Sequence, residues 1–271
     1  MTQTEWDEKV KSVADKMIER VRSFITPVSY EVEADWGELA GSASYIQGDG
    51  NVYIVTNKHV LDKCGNYRAG HHLKVSNAEG TTSKVIQVPR PYASRPDPID
   101  VAVARVSGEA WLRERHESSA IPKCCIARSH APVKGEILFF AGYSQERSKS
   151  LHTHLVTRVT SFSTQEVSNS SLGDPDYDFH LRYAPRLINS VDDSEPFVPL
   201  PQGFSGSLVW NTRFIEVTQR AECWSPECAQ VTGILKRWIS DEQLLVATRI
   251  ERMDLDELSR SIIYLYTRAP R

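Results

Sequence analysis

An all-β fold with a helix at each end is what this 271-residue sequence predicts, and three observations predict it. The opening stretch carries an apolar stripe at spacings of three and four. The long middle is a series of short apolar runs broken by Gly, Pro, Asp and Asn at fairly regular intervals. The closing stretch returns to helical spacing.

In chain order, Trp6, Val10, Val13, Met17, Val21 and Phe24 fall on one face of an amphipathic helix, with Lys, Glu, Asp and Arg between them. Thr4 followed by Asp7 supplies an N-cap signal, and Pro27 is expected to stop the helix. The stripe either docks on the body of the protein or binds a partner. From Val28 the pattern turns to β. Ser42–Gln47 and Val52–Thr56, joined by Gly48-Asp49-Gly50-Asn51, read as a hairpin. Further strands are expected at His72–Val75, Lys84–Val88, Val101–Val106, Ile137–Tyr143, Leu155–Phe162, Phe179–Tyr183, Ser207–Trp210, Gln230–Leu235 and Leu244–Thr248. So many short strands indicate a barrel or sandwich. The polar stretch Ser163–Asp178 reads as a long surface loop, and Ile250, Leu255, Leu258 and Ile262 as a short final helix.

Composition narrows the function classes. A hydrophobic content of 40% suffices for one large domain or two packed halves. The net charge of -3 gives no global basic field, so neither nucleic acid nor an anionic membrane is expected as a partner. No apolar run approaches the roughly 18 residues of a membrane span. Acidic residues stand where a signal peptide would be basic. The five cysteines are odd in number, and Cys124 and Cys125 are adjacent, unlike the disulfide framework of a secreted domain. These features predict a reducing, cytoplasmic setting.

Three local patterns carry chemistry jointly. Val55-Thr56-Asn57-Lys58-His59-Val60-Leu61 runs a strand into a histidine. Asp97-Pro98-Ile99-Asp100-Val101-Ala102-Val103 sets a carboxylate at the start of an apolar strand. Pro201-Gln202-Gly203-Phe204-Ser205-Gly206-Ser207 brackets a serine with glycines in a turn before a strand. Singly, these are a strand-end histidine, a turn aspartate and a tight turn. Together, His, then Asp about forty residues on, then Gly-x-Ser-Gly about a hundred later, give the chain order of one triad class. An α/β-hydrolase is disfavoured, because there the serine comes first.

On these residues the chain resembles the chymotrypsin/trypsin-like serine protease family, most nearly its bacterial HtrA-type branch. Thr56-Asn57-Lys58-His59-Val60 resembles Thr-Asn-x-His-Val, Asp100-Val101-Ala102-Val103 resembles Asp-Leu-Ala-Val, and Gly203-Phe204-Ser205-Gly206-Ser207 resembles Gly-Asn-Ser-Gly-Gly. Val246-Ala247-Thr248-Arg249-Ile250 resembles the Val-Tyr-Thr-Arg-Val before the last helix of trypsin relatives. The likeness runs from roughly residue 38 to residue 262. It implies two six-stranded antiparallel β-barrels: residues 28–130 carrying His59 and Asp100, and residues 131–271 carrying Ser205 and the C-terminal helix, after an N-terminal helix at 1–27. It further implies a serine endopeptidase acting on proteins or peptides, without cofactor or metal. Ser205 would be the nucleophile, His59 its base and Asp100 the orienting acid, with the N–H groups of Gly203 and Ser205 as the oxyanion hole.

Departures from the family pattern also speak. Phe204 stands where relatives matured by cleavage have an acid, so activation by an ion pair to a new amino terminus is not expected and the N-terminal helix stays attached. Ser207 replaces a second glycine. For the specificity pocket, Gly233-Ile234-Leu235-Lys236-Arg237-Trp238 resembles the segment that pairs with substrate backbone; Trp238 and Leu245 replace pocket glycines, and Pro199 stands where trypsin has its anion. A shallow pocket preferring a small or aliphatic residue is implied, with Lys236 and Arg237 favouring an acidic residue as the alternative. Two other readings stay open: a catalytically silent binding module on the same fold, and a latent protease released by a partner. In the latter, the N-terminal helix and the loops at 163–178 and 211–229 would gate the site, by analogy with effector subunits of bacterial stress or antiviral systems. Cys223 and Cys228 read as structural or free thiols rather than zinc ligands. His71-His72 and His152-Thr153-His154 read as surface histidines, and Arg147, Lys149, Arg158, Lys236 and Arg237 as a solvated face.

Overall fold

The computed structural model describes residues 2–33, 36–65, 68–77, 80–113, 115–151, 154–167, 172–184 and 198–268. Helix α1 (Gln3–Val21) opens the chain. Its N-cap is Thr2 rather than Thr4: Glu5 N donates to Thr2 Oγ1 at 3.3 Å, and Thr2 N donates back to Glu5 Oε2 at 2.7 Å. This reciprocal box satisfies two N-terminal donors at once. The apolar stripe is spent on the protein itself, since Val13, Met17 and Val21 are buried and Trp6, Val10, Ala14 and Ile18 pack against the same core. The helix ends at Val21, six residues before Pro27, because Phe24 turns to stack on Trp210 and Ile25 enters a strand. Pro27 therefore lies within a strand and stops nothing.

That strand is β1 (Ile25–Glu33), followed by β2 (Trp36–Gly48), β3 (Asn51–Thr56), the short helix α2 (Lys58–Lys63), β4 (Ala69–Asn77), β5 (Gly80–Gln87), β6 (Ala93–Arg95), β7 (Val101–Arg105) and helix α3 (Gly108–Arg113). The strands form one antiparallel sheet in the order β5-β4-β1-β2-β3-β7-β6. It has seven strands rather than the expected six. The expected hairpin is β2–β3, where Gly48 faces Asn51 and both turn residues, Asp49 and Gly50, have positive φ (44° and 74°). Two left-handed residues match the twist of the flanking strands.

Then come β8 (Leu138–Leu151), β9 (His154–Thr164), β10 (Asp178–Arg182), β11 (Leu208–Asn211), helix α4 (Phe214–Gln219), β12 (Gln230–Ile239), β13 (Leu244–Arg249) and helices α5 (Ile250–Met253) and α6 (Leu255–Arg268). This second antiparallel sheet runs β10-β13-β12-β11-β8-β9, and a bridge between Glu166 and Leu181 brings its two edges together. The expected loop at 163–178 is thus partly strand and bridge, with 168–171 outside the described residues. The stretch at 211–229 carries α4 and a 3-10 turn at Pro226–Cys228, with Phe214 packed edge-on to Trp224.

One apolar cluster bridges the two sheets and both end helices. It takes Leu39, Tyr53 and Val103 from the first sheet, Phe139, Trp210 and Ile234 from the second, Met17 from α1 and Ile262 from α6. His71 and His72 are not surface residues. Tyr45 Oη lies 2.8 Å from His71 Nδ1, and Ser29 Oγ lies 2.9 Å from His72 Nε2. Burial pushes their pKa values down to about 3 and about 4, so both are neutral core side chains. His152 and Thr153 lie outside the described residues, as does the side chain of His154.

Candidate active site

Each of the three chemistry-bearing patterns is placed by burial of its neighbours. At the end of β3 the chain turns at Asn57 into α2, whose Val60 and Leu61 are buried. His59 is left on the open side, with its side chain 47% exposed. Asp100 precedes β7 in a left-handed conformation (φ 51°), one that Asp tolerates better than most residues, and the buried Val101 and Val103 fix the strand after it. The two groups meet. His59 Nδ1 and Asp100 Oδ2 are 2.5 Å apart, and His59 N donates to Asp100 Oδ1 at 3.0 Å. Asn57 Nδ2 donates to the Asp100 carbonyl at 2.7 Å. Burial opposes ionisation of Asp100, whose side chain is 13% exposed. The two hydrogen bonds from His59 and the charges of His59 and Lys236 outweigh it, and the carboxyl is held below the usual carboxylate range.

Ser205 sits in a turn that only glycine can form at two points. Gly203 has φ 102°, and a Cβ there would lie 2.5 Å from the Tyr143 carbonyl oxygen; Gly206 has φ 90°, and a Cβ there would overlap the Ser42 carbonyl oxygen. Phe204 N donates to Pro201 O at 3.0 Å and Ser207 N to Phe204 O at 2.9 Å, closing the turn on both sides of the serine. Gly206 N donates to Leu235 O, and Leu235 N to Ser207 O, each at 2.9 Å, which ties the turn to β12. Phe204, where a cleavage-activated relative has an acid, is buried edge-on against Phe140 and near-perpendicular to Tyr183. Apolar packing anchors the turn there. Among the described residues, the N–H groups of Gly203 and Ser205 donate to no protein acceptor. The Ser205 hydroxyl donates to the Lys236 carbonyl at 3.3 Å, and no hydrogen bond joins it to His59.

The remaining expected site residues separate into three groups. Pro199, Leu245 and Trp238 gather around the aromatic anchor: Tyr183 Oη donates to Pro199 O at 2.5 Å, and Leu245 is buried with Phe204 and Tyr183 while Trp238 packs at the edge. Arg237 is exposed on the wall of a cavity of about 460 Å³ that also includes Lys58, His59, Asp62, Asp97 and Asp100. Lys236 corrects the sequence reading. Its side chain is buried, its Nζ lies 2.6 Å from Asp178 Oδ1 and donates to Pro98 O at 2.6 Å, so the ammonium faces the interior and not a substrate. Asp178 and Ser42 escaped notice altogether. Ser42 Oγ donates to Gly203 O at 2.9 Å while accepting from Tyr143 N at 2.9 Å, and Ser42 N donates to Ser205 O at 2.8 Å. No motif marks either residue, because their partners are far away in sequence.

The five cysteines are unpaired thiols. Among the described residues, no three His, Cys, Asp or Glu side chains are grouped to hold a metal, and no helix is long and apolar enough to cross a membrane.

The Ser205 turn leaves two N–H groups undirected, and the His59 imidazole is backed by a buried carboxylate. No curated protein matches the sequence. Among solved structures, a serine endoprotease from Yersinia pestis aligns over 91% of this chain with 16% identity and a TM-score of 0.53; the alignment spans 66% of that chain. The likeness is one of fold. A chain solved in connection with coupled folding and binding of the Sesbania mosaic virus VPg protein aligns over 84% of this chain and 86% of its own, with 13% identity and a TM-score of 0.44, too remote to bear on the site. The sequence itself matches the trypsin-like peptidase domain over residues 41–213, a span that contains His59, Asp100 and Ser205. That match covers well over half of the chain, and the chain belongs to the trypsin-like peptidase domain family.

Proposed function

We propose that the protein is a serine endopeptidase in which Ser205, His59 and Asp100 form the catalytic triad. The observation that carries this reading is the doubly hydrogen-bonded His59–Asp100 pair, together with a Ser205 held in a glycine-bracketed turn whose Gly203 and Ser205 N–H groups are undirected. A serine hydroxyl is a weak nucleophile at its own pKa and needs a neighbouring base. His59 Nε2 takes the Ser205 proton as the hydroxyl attacks the scissile carbonyl and returns it to the leaving amine. Asp100 holds the Nδ1–H tautomer and stabilises the imidazolium. The N–H groups of Gly203 and Ser205 receive the developing oxyanion, each worth about 3 kcal/mol in the transition state by analogy with single-donor deletions. Water then hydrolyses the acyl-enzyme.

The substrate class is protein or peptide. Residues Phe204, Tyr183, Leu245 and Trp238 fill the ground beside the serine turn with apolar bulk. That bulk supports cleavage after a small or aliphatic residue. A resting state with Ser205 turned to the Lys236 carbonyl favours a second reading, a latent enzyme whose serine engages His59 only when substrate or a partner arrives. The free thiols fit a reducing compartment.

The test is labelling by a fluorophosphonate together with digestion of a peptide library. Labelling is expected in the native chain and absent in both Ser205→Ala and His59→Ala. Turnover should drop by roughly 10⁶-fold in Ser205→Ala. Native protein that neither labels nor cleaves, with or without cell extract, leaves only the silent binding module.

A further inference from the structure

A buried cation touches both halves of the site, and the triad does not account for it. Lys236 and Asp178 have side chains only 3% and 2% exposed, and their charged atoms are 2.6 Å apart. Asp178 Oδ1 has no aligned hydrogen-bond donor, so the attraction is a charge contact. Taking two charges out of water costs several kcal/mol per ion unless geometry and further hydrogen bonds recover it. Such a pair is poor value for stability alone, which directs attention to what it positions.

Lys236 Nζ also donates to the carbonyl of Pro98, two residues before Asp100. Next to it, Thr248 Oγ1 of β13 donates to the carbonyl of Ile99 at 2.9 Å. Two consecutive carbonyls of the loop that delivers Asp100 are thus held by side chains of the second sheet. Asp178, at the start of β10, fixes the direction of the ammonium; Gly173 is packed so tightly against it that a Cβ there would lie 2.8 Å from Asp178 Oδ2. The main chain of Lys236 meets the other half of the site, since its carbonyl accepts from Ser205 Oγ. One residue therefore contacts the acid loop with its side chain and the nucleophile with its backbone.

We infer that Lys236, oriented by Asp178, is a positioning residue that sets Asp100 against His59 across the two sheets and supplies the nearest buried positive charge to that carboxylate. The inference rests on the triad reading above. The charged groups facing the His59–Asp100 pair are Lys58 and Asp62 of α2, Asp97 of the acid loop, and Lys236 and Arg237 of β12. Lys58 is already paired with Asp62 in a salt bridge, and Arg237 is exposed to solvent, whereas Lys236 is shielded from it. Screening by water leaves the buried cation the largest effect.

Removing only the lysine would strand a buried carboxylate and threaten the fold. The informative variant is the double substitution Lys236→Met with Asp178→Asn, which removes both charges and keeps the volume. Three measurements are made on it: melting temperature, rate of fluorophosphonate labelling as a function of pH, and the low-field proton resonance of the His59–Asp100 hydrogen bond. The expected result is a fold of near-native melting temperature that labels 10- to 100-fold more slowly, on the order of one imperfectly placed catalytic group. Lys236 is among the charges that hold the Asp100 carboxyl low and Asp178 is not, so the double variant raises that carboxyl, the acid limb of labelling moves to higher pH, and the low-field resonance broadens or disappears. A purely structural pair would lower the melting temperature while leaving the acid limb and the resonance in place, and that outcome overturns the inference. So does labelling within threefold of native with an unmoved acid limb. If the native chain does not label at all but the resonance is lost in the double variant, the protease reading fails and the positioning role stands.

Discussion

Asp100 shows how a single residue ties chemistry to stability. Its carboxyl is held below the ordinary Asp value by the hydrogen bonds and charges around it, against the opposing effect of burial. A depressed folded-state pKa means that ionised Asp100 favours the folded state. The contribution is complete above the unfolded-state value of about 3.9 and is lost as pH falls through the lower, folded-state value. Asp100→Asn should therefore be less stable than the native chain at pH 7, with the gap closing below about pH 4. Urea denaturation of both proteins at pH 7, 5 and 3 checks this, and a gap of constant size would show that the charge contributes nothing. At this scale His59, Asp100 and Ser205 stand out in the sequence because each sits in a short pattern whose neighbours explain it. The sequence misplaces Lys236, which reads from it as a substrate-facing or solvated cation. A lysine next to an arginine on a strand reads as solvated, and the buried partner that reverses that reading, Asp178, is far away in the chain.

Among the elements, those defined by local chemistry were legible. The β2–β3 hairpin follows from Asp49-Gly50, and α1 from its stripe. The end of α1 and the strand after it were not, because tertiary packing overrode local signals: Phe24 finds Trp210, and Pro27 sits in β1 opposite Ser42, just before the segment Val28–Tyr30 that pairs with β4 as well. A proline costs a ladder bond only where a second neighbour needs its N–H. Strand β6 was hidden by Pro91 and Pro96 close to its ends. The stripe also decides what α1 does. Met17 is fully buried in the core shared by both sheets, and Arg20 secures the end of the helix by donating to the Pro226 carbonyl and to Cys125 Sγ, with its guanidinium over Trp210. Met17→Ala should cost about 2–5 kcal/mol, as for other large-to-small core changes. A helix that merely leaned on the surface would lose much less than 1 kcal/mol to the same change, so a denaturation midpoint near native would return α1 to the role of a detachable partner-binding segment.

For the whole molecule, the central fact is that the Ser205 turn belongs to the second sheet in sequence but is shaped by the first. Ser42, in the middle of β2, makes the connection: its N–H holds the Ser205 carbonyl, and its hydroxyl bridges the Gly203 carbonyl and the Tyr143 N–H. Thr56 Oγ1 in turn donates to the Ser42 carbonyl at 2.7 Å, so the strand that leads to His59 steadies the residue that steadies the serine. Gly142 and Gly206 allow this approach, since a Cβ on either would overlap a Ser42 or Ser207 atom. Ser42→Ala keeps the main-chain bond and deletes the bridge, leaving one buried donor and one acceptor without partners. The stability cost should be about 1–3 kcal/mol, the usual penalty for orphaned buried polar groups. The effect on labelling should be disproportionate. Gly203 rotates freely at its φ of 102°, and once its carbonyl is released only the Gln145 N–H on the Gln202 carbonyl still holds the peptide whose N–H is proposed to receive the oxyanion. A loss of one such donor corresponds to roughly 10²-fold in rate. Fluorophosphonate labelling and thermal melting of Ser42→Ala, read together, separate the two effects: slower labelling with only a modest drop in melting temperature places control of the oxyanion hole in the first sheet, whereas labelling that falls only as far as the folded fraction does would reduce Ser42 to an ordinary buried serine.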